Sequence, residues 1–235
     1  MNLSRSGKLD PAPGTVAIAP EELPPLPDDI LTNPDAARID PRQWFAHPDR
    51  PLEIEIGSGK GTFLVQQAAV RPETNYLGIE WAREYFTYAC DRVRRHHLRN
   101  VRLLCADAVS FLRWRAPDAC CRVIHLYFSD PWPKKKHHKN RVVRDEFLEH
   151  AWRVLEPQTP DRPAGELRIV TDHDGYWQWM QQHFARWCDD MRRFEREPFC
   201  APDSAREGEL VGTNFERKFR QEGRAFHAVT LRRRG

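Results

Sequence analysis

Three glycines, Gly57, Gly59 and Gly61, space out a G-x-G-x-G loop directly behind the β-branched run Leu52 to Ile56, and a helical pattern follows. Small residues at a strand-to-helix turn let the backbone come close to a nucleotide. Position 62 is Thr62, where a dinucleotide fingerprint wants glycine or alanine, and no Gly-Lys-Ser/Thr stands at phosphate-loop spacing. Four carboxylates fall in register with this loop. Glu55 lies inside the first strand, Glu80 ends the second, Asp107 follows the third and Asp130 follows the fourth. A carboxylate at the end of the second strand accepts both hydrogen bonds of a ribose diol. Such a ring of acids repels the diphosphate of NAD and suits a cationic nucleoside without phosphate. S-adenosylmethionine, with a sulfonium and an ammonium, has that charge.

A second chemical feature is basic. Lys134 to Arg144 holds six Lys/Arg and two His with no acid, in a chain of net charge +3. Residues 1–50 carry 5 Lys/Arg against 8 Asp/Glu, and the remainder 32 against 26. A local patch on a nearly balanced protein predicts a polyanionic partner at one face.

These residues need elements to hold them. The pattern predicts strands at Leu52–Ile56, Asn75–Glu80, Val101–Cys105, Val123–Phe128, Leu167–Thr171 and Phe226–Leu231, with a further one near Arg192–Glu195. Helices are expected over Thr62–Val70, Arg83–Leu98, Val143–Leu155 and about Gly175–Trp187. Tyr176, Met180, Phe184 and Trp187 recur at helical spacing and read as core. Alternating strands and helices predict an α/β fold, a doubly wound and mostly parallel sheet of seven strands, with ligands at the carboxyl ends of the strands. Every motif above sits at such an end.

The first fifty residues differ. They hold nine of the nineteen prolines, a density that blocks helix interiors and ladder donors. Residues 1–50 therefore read as an extended or partly disordered arm anchored at Gln43-Trp44-Phe45, and residues 51–235 as the catalytic domain. Six cysteines in no C-x-x-C pair predict reduced thiols and neither a disulfide framework nor a zinc site. No run approaches the roughly 20 apolar residues of a membrane span. Met1 to Asp10 has no apolar stretch of a signal peptide. A cytoplasmic protein is expected, with no membrane and no obligatory protein partner evident.

The stretch from Tyr127 to Arg141, with Asp130-Pro131-Trp132-Pro133-Lys134-Lys135-Lys136-His137-His138-Lys139-Asn140-Arg141 at its centre, resembles the tRNA (guanine-N7-)-methyltransferase family of bacteria. Supporting matches are Glu55 to Gly61, Gly78-Ile79-Glu80, Thr171-Asp172 and Thr213-Asn214-Phe215-Glu216, so the resemblance spans about residues 51–231. It implies a class I S-adenosylmethionine-dependent methyltransferase fold, Rossmann-like, that methylates N7 of a guanine in the tRNA variable loop. It further implies that Glu55, Gly57, Gly59, Glu80, Asp107 and Asp130 bind the cofactor and that Asp130 is catalytic. Lys134, Asp172, Thr213, Asn214, Phe215 and Glu216 would contact the substrate. Lys136, His137, His138, Lys139, Asn140 and Arg141 would contact RNA. Phe215 stands where the family commonly has tyrosine, and the proline-rich arm does not match a basic N-terminal segment.

The chemistry fits these residues. Guanine N7 has an in-plane lone pair and no proton, so its attack on a methyl group needs no general base. The product base becomes cationic, which a fixed carboxylate stabilises. Pro131 and Pro133 restrict the backbone beside Asp130. Lys134 can donate to guanine O6 or a phosphate. Trp132 can stack on a base or anchor the loop. Asp172 can accept from guanine N1–H and N2–H₂ or cap the next helix. Adjacent His137 and His138 point apart with no third ligand nearby, which favours RNA contact over a metal. Competing readings keep the fold and cofactor for another RNA, or keep RNA binding without catalysis; intact acids at all four strand ends oppose the latter.

Overall fold

Short runs of Leu, Ile and Val pair into one eight-stranded sheet in the computed structural model, which describes residues 17–18 and 23–235. The strands are β1 (Ala17–Ile18), β2 (Leu52–Ile56), β3 (Asn75–Glu80), β4 (Val101–Cys105), β5 (Val123–Tyr127), β6 (Glu166–Thr171), β7 (Phe194–Glu197) and β8 (His227–Arg233). Their order is β1-β4-β3-β2-β5-β6-β8-β7. All neighbours from β1 to β6 are parallel, and β8 runs antiparallel to both β6 and β7. From β2 the chain builds β3 and β4 to one side, then β5 and β6 to the other. The topological switch therefore lies between β2 and β5, where a doubly wound sheet opens a crevice.

Helices α1 (Thr62–Val70), α2 (Arg83–Arg95), α3 (Ala108–Trp114), α4 (Asp145–Val154), α5 (Asp174–Phe184) and α6 (Asn214–Gln221) connect or flank the strands. Leu52, Ile54, Leu77, Ile124 and Leu126 have no exposed surface, because helices cover both sheet faces and central parallel strands then read as apolar runs. Tyr176, Met180, Phe184 and Trp187 are buried, as their spacing predicts. One polar chain crosses this interior. His125 Nε2 lies 2.8 Å from Glu53 Oε2 and its Nδ1 lies 2.7 Å from the Tyr127 hydroxyl. Burial pushes the His125 pKa down despite the Glu53 partner, so the imidazole sits neutral and satisfied.

The structure departs from expectation in several places. Two helices appear that periodicity did not predict, α3 and α6. The strand expected to reach Phe128 stops at Tyr127, because Phe128 turns to φ 55°. The helix expected to run to Trp187 gives way after Phe184 to a wider π turn over Ala185–Asp190. Eight strands replace seven, since Ala17–Ile18 pairs with Leu103 and Leu104 of β4.

Of the proline-rich segment, residues 1–16 and 19–22 lie outside the described residues. From 23 onward it forms short 3-10 turns at Pro34–Ala37 and Pro41–Trp44. Arg38 donates to the carbonyls of Arg113 and Ala116 at 2.6 and 3.1 Å, and Ile39 N–H to the Arg115 carbonyl at 2.7 Å. Carbonyls at the end of α3 would otherwise lack donors. Trp44 packs on Phe111, and the Arg102 guanidinium covers buried Phe45. Burying such a phenyl ring is worth about 2 kcal/mol.

Candidate active site

At the carboxyl ends of β2 to β5 lies a cleft of about 620 Å³. Glu55, Gly57, Gly59, Glu80, Asp107, Asp130, Thr213, Asn214 and Phe215 all line it. The whole predicted cofactor set thus meets at one place, joined by the start of α6.

The glycine loop is shaped by backbone conformation. Gly57, Gly59 and Gly61 have φ of 72°, 52° and 67°, a region other residues enter only with strain. Gly57 N–H donates to the Ile79 carbonyl at 2.8 Å, which hangs the loop on the end of β3. A Cβ at Gly57 would meet nothing within 4 Å, so the loop stands clear for a ligand.

The acids differ in partners. Glu80 accepts from Gly59 N–H at 2.7 Å and Ala82 N–H at 2.8 Å, one bond per carboxylate oxygen. Each oxygen keeps a second lone pair for a ligand. Asp107 caps α3 by accepting from Ser110 N–H at 2.6 Å. Glu55 is buried, and its Oε2 has no hydrogen-bond partner among the described residues; the buried Ser58 hydroxyl beside it has none either. Burial first, and the Glu80 charge second, push the Glu55 pKa well above the usual carboxylate range. An orphaned carboxylate at the bottom of a cleft fits a ligand cation, since leaving it unpaired is costly. The residues therefore fit S-adenosylmethionine.

Asp130 is exposed on the loop after β5. That loop is bracketed by Phe128 at φ 55° and Trp132 at φ 43°. Non-glycine residues in this region cost roughly 1–3 kcal/mol and persist where surroundings over-determine them. Here the constraint comes from below. Phe128 packs edge-on against Phe219 and Phe226, and Arg141 donates to the Pro131 carbonyl at 2.8 Å.

Several predicted contacts lie elsewhere. Arg141 is only 3% exposed, with its guanidinium between the Tyr176 and Trp179 rings at 5.2 and 5.1 Å. It holds the Asp130 loop from inside, with almost no surface open to a partner. Glu216 has no exposed surface. Its carboxylate accepts from Leu210, Val211 and Gly212 N–H at 2.6, 2.9 and 2.9 Å and pairs with Arg220. Burial alone would raise its pKa, but these donors hold it below the usual range. It therefore clamps the loop before α6, with both oxygens occupied by the chain's own donors. Thr213 caps α6 through Glu216 N–H. Asp172 lies outside the cleft, paired with Arg224 at 2.5 Å. Lys134, Lys136, Lys139 and Asn140 are exposed, while His137 and His138 are half-buried against Trp132 and Trp179.

Periodicity gave no sign of Trp81 and Tyr85, which also line the cleft and expose 75% and 45% of their surface. The one available signal is their position just past Glu80, at a strand's carboxyl end. Among the described residues, no group of three or more His, Cys, Asp or Glu could hold a metal ion. No described helix is long and apolar enough to cross a membrane.

The chain is similar to known proteins in both sequence and fold. A family model described as a putative methyltransferase matches residues 49–229. A tRNA (guanine-N(7)-)-methyltransferase of Streptococcus pyogenes serotype M6 is 33% identical over 90% of this chain and 94% of its own. One from Streptococcus thermophilus is 32% identical over 90% and 93%. Among solved structures, the aminoglycoside resistance methyltransferase NpmB1 matches with a TM-score of 0.55 at 17% identity, covering 89% of this chain and 95% of that one. An antibiotic-related methyltransferase matches at 0.54 and 16%, covering 88% and 94%. These likenesses carry the class I methyltransferase fold. By its sequence relatives over nearly its whole length, the chain belongs to the tRNA (guanine-N(7)-)-methyltransferase family.

Proposed function

We propose that this chain transfers the methyl group of S-adenosylmethionine to N7 of a tRNA guanine, the variable-loop guanine-46 in conventional tRNA numbering, in the cytoplasm. The observation that carries this reading is the single cleft into which Glu55, Glu80, Asp107 and Asp130 all open. S-adenosylmethionine supplies an electrophilic methyl on a sulfonium. Glu55, buried with one oxygen unpartnered, would pair with the ammonium. Glu80 would take the ribose diol, and Gly57 and Gly59 let the backbone approach. Asp107, capping α3 at the far side, would take the adenine end. Asp130 faces the guanine and stabilises the positive charge that builds on it. Preorganisation comes from the bracketing Phe128 and Trp132 and from Arg141 beneath. The exposed cations Lys134, Lys136 and Lys139 attract the RNA backbone.

The test is direct. The full-length protein is incubated with the cofactor and an unmodified tRNA transcript, and the nucleosides are resolved by mass spectrometry. 7-Methylguanosine should appear, and replacing the target guanine by 7-deazaguanine should abolish it. Methylation that persists on the 7-deaza RNA would contradict the N7 assignment.

A further inference from the structure

Asp172 is occupied by the chain's own Arg224. Arg224 Nη1 donates to Asp172 Oδ2 at 2.5 Å, and its Nη2 lies 2.6 Å from Glu222 Oε2. The flat face of the guanidinium covers the Phe219 ring at 4.2 Å. The two partners are unequal: the Asp172 side chain is 10% exposed and that of Arg224 is 45%. The acceptor is sunk at a strand end and the donor reaches it from the surface.

The pair also stands at the end of the strand next to the one that leads to Asp130. Phe128 N–H donates to the Val170 carbonyl at 2.8 Å. Asp130 and Asp172 each stand two residues beyond that shared bond, one on the loop after β5 and one after β6. The Phe219 ring on which Arg224 rests is in edge contact with Phe128, two residues before Asp130.

The chemistry of the two donors is the same. Guanine N1–H and N2–H₂ project side by side from a planar N–C–N unit, as the N–H groups of a guanidinium do. No other RNA base presents two adjacent donors on that edge. We propose that Arg224 is a displaceable stand-in for the guanine edge, filling Asp172 while RNA is absent and yielding it to the target base. The displaced guanidinium keeps Glu222 and the Phe219 face. The buried carboxylate is thus never left unpaired, which would be costly. Only a base with the matching donor pair can take the place of Arg224, so the pair adds a filter for guanine beside Asp130. This rests on the sequence reading of Asp172 as the acceptor for guanine N1–H and N2–H₂.

The two ideas separate in one experiment. Single-turnover methylation of unmodified tRNA gives a half-saturating RNA concentration and a maximal rate for the wild type, Arg224→Ala, Arg224→Gln, Asp172→Asn and each double variant. Loss of a cation near RNA by itself raises the half-saturating concentration. Removal of a competitor lowers it, by about two- to fivefold for a partly exposed ion pair. The expected result is that fall in both Arg224 variants, a maximal rate within about twofold of wild type, and no fall in the Asp172→Asn background. The glutamine variant retains packing on Phe219 and decides the matter if the alanine variant unfolds. A rise or no change at Arg224, with Asp172→Asn still weakening RNA binding, would overturn the stand-in and leave the guanine assignment intact. No weakening in Asp172→Asn would overturn that assignment and the stand-in with it.

Discussion

At the ends of β3 and β4 the acids of the cleft are held by backbone, whereas on the β5–β6–β8 side the charged groups are held by one another or left open. Glu80 is fixed by Gly59 and Ala82 N–H, and Asp107 by Ser110 N–H. Backbone donors do not move when a ligand arrives, so this half is shaped beforehand. Across the switch point, Asp172 pairs with the exposed Arg224 and Asp130 stands exposed. Side-chain partners can be exchanged, as entry of an RNA base requires. A carboxylate at a strand end thus takes its role from what holds it, and residue type alone does not decide it. Glu216 marks the limit, since three backbone donors and an arginine leave it nothing to offer a substrate.

The contrast between the two sides breaks most severely at Asp130. Asp130→Asn keeps the side chain's shape and removes the charge proposed to face a guanine that becomes cationic. The single-turnover rate should fall roughly 10²–10³-fold, the scale of losing one preorganised stabilising group. Cofactor affinity should change far less, because the other acids remain. A near wild-type rate would remove Asp130 from the chemistry.

A smaller effect sharpens the division within the basic loop. Neutralising Lys134, Lys136 and Lys139 together should weaken tRNA binding about tenfold at moderate salt. The log–log salt slope should drop by roughly 0.9 for each duplex phosphate that is no longer neutralised. Arg141→Ala should leave the slope unchanged and lower thermal stability by about 1–3 kcal/mol, since it empties a buried donor site beneath Pro131. Salt-dependent filter binding and thermal melting check both halves. An Arg141 variant that loses slope as the lysines do would place Arg141 at the RNA surface.

The sequence was most legible where topology does the positioning. Parallel strands place their carboxyl ends on one rim, so Glu55, Glu80, Asp107 and Asp130 read as neighbours from strand order alone. The basic loop was legible as charge but not as structure. Arg141 looks solvated beside Lys139 and Asn140, and only α5, more than thirty residues later, brings Tyr176 and Trp179 around it. Helix α6 was hidden for another reason. Thr213 and Glu216 stand at capping-box spacing, but the helix is eight residues long and only Phe215 and Phe219 are apolar, too few to mark a period. Helix α3 is seven residues long, too short for a clear period. Its N-cap Asp107 serves both as helix start and as cleft wall.

The division between the halves is tested most directly by titrating S-adenosylmethionine into the RNA-free protein in a calorimeter, in buffers of different ionisation enthalpy. Burial and Glu80 raise the Glu55 pKa, so the empty site holds a proton above the ordinary carboxylate range. An ammonium partner favours the charged form and expels that proton. At mildly acidic pH, above that range, binding should occur without tRNA and release protons to the buffer, up to one per site. Glu55→Gln should abolish the release and weaken affinity about 10- to 100-fold, on the scale of a lost charge-assisted hydrogen bond. Binding that requires tRNA, or an enthalpy independent of buffer in the wild type, would contradict a cleft preformed around an unpaired, protonated Glu55.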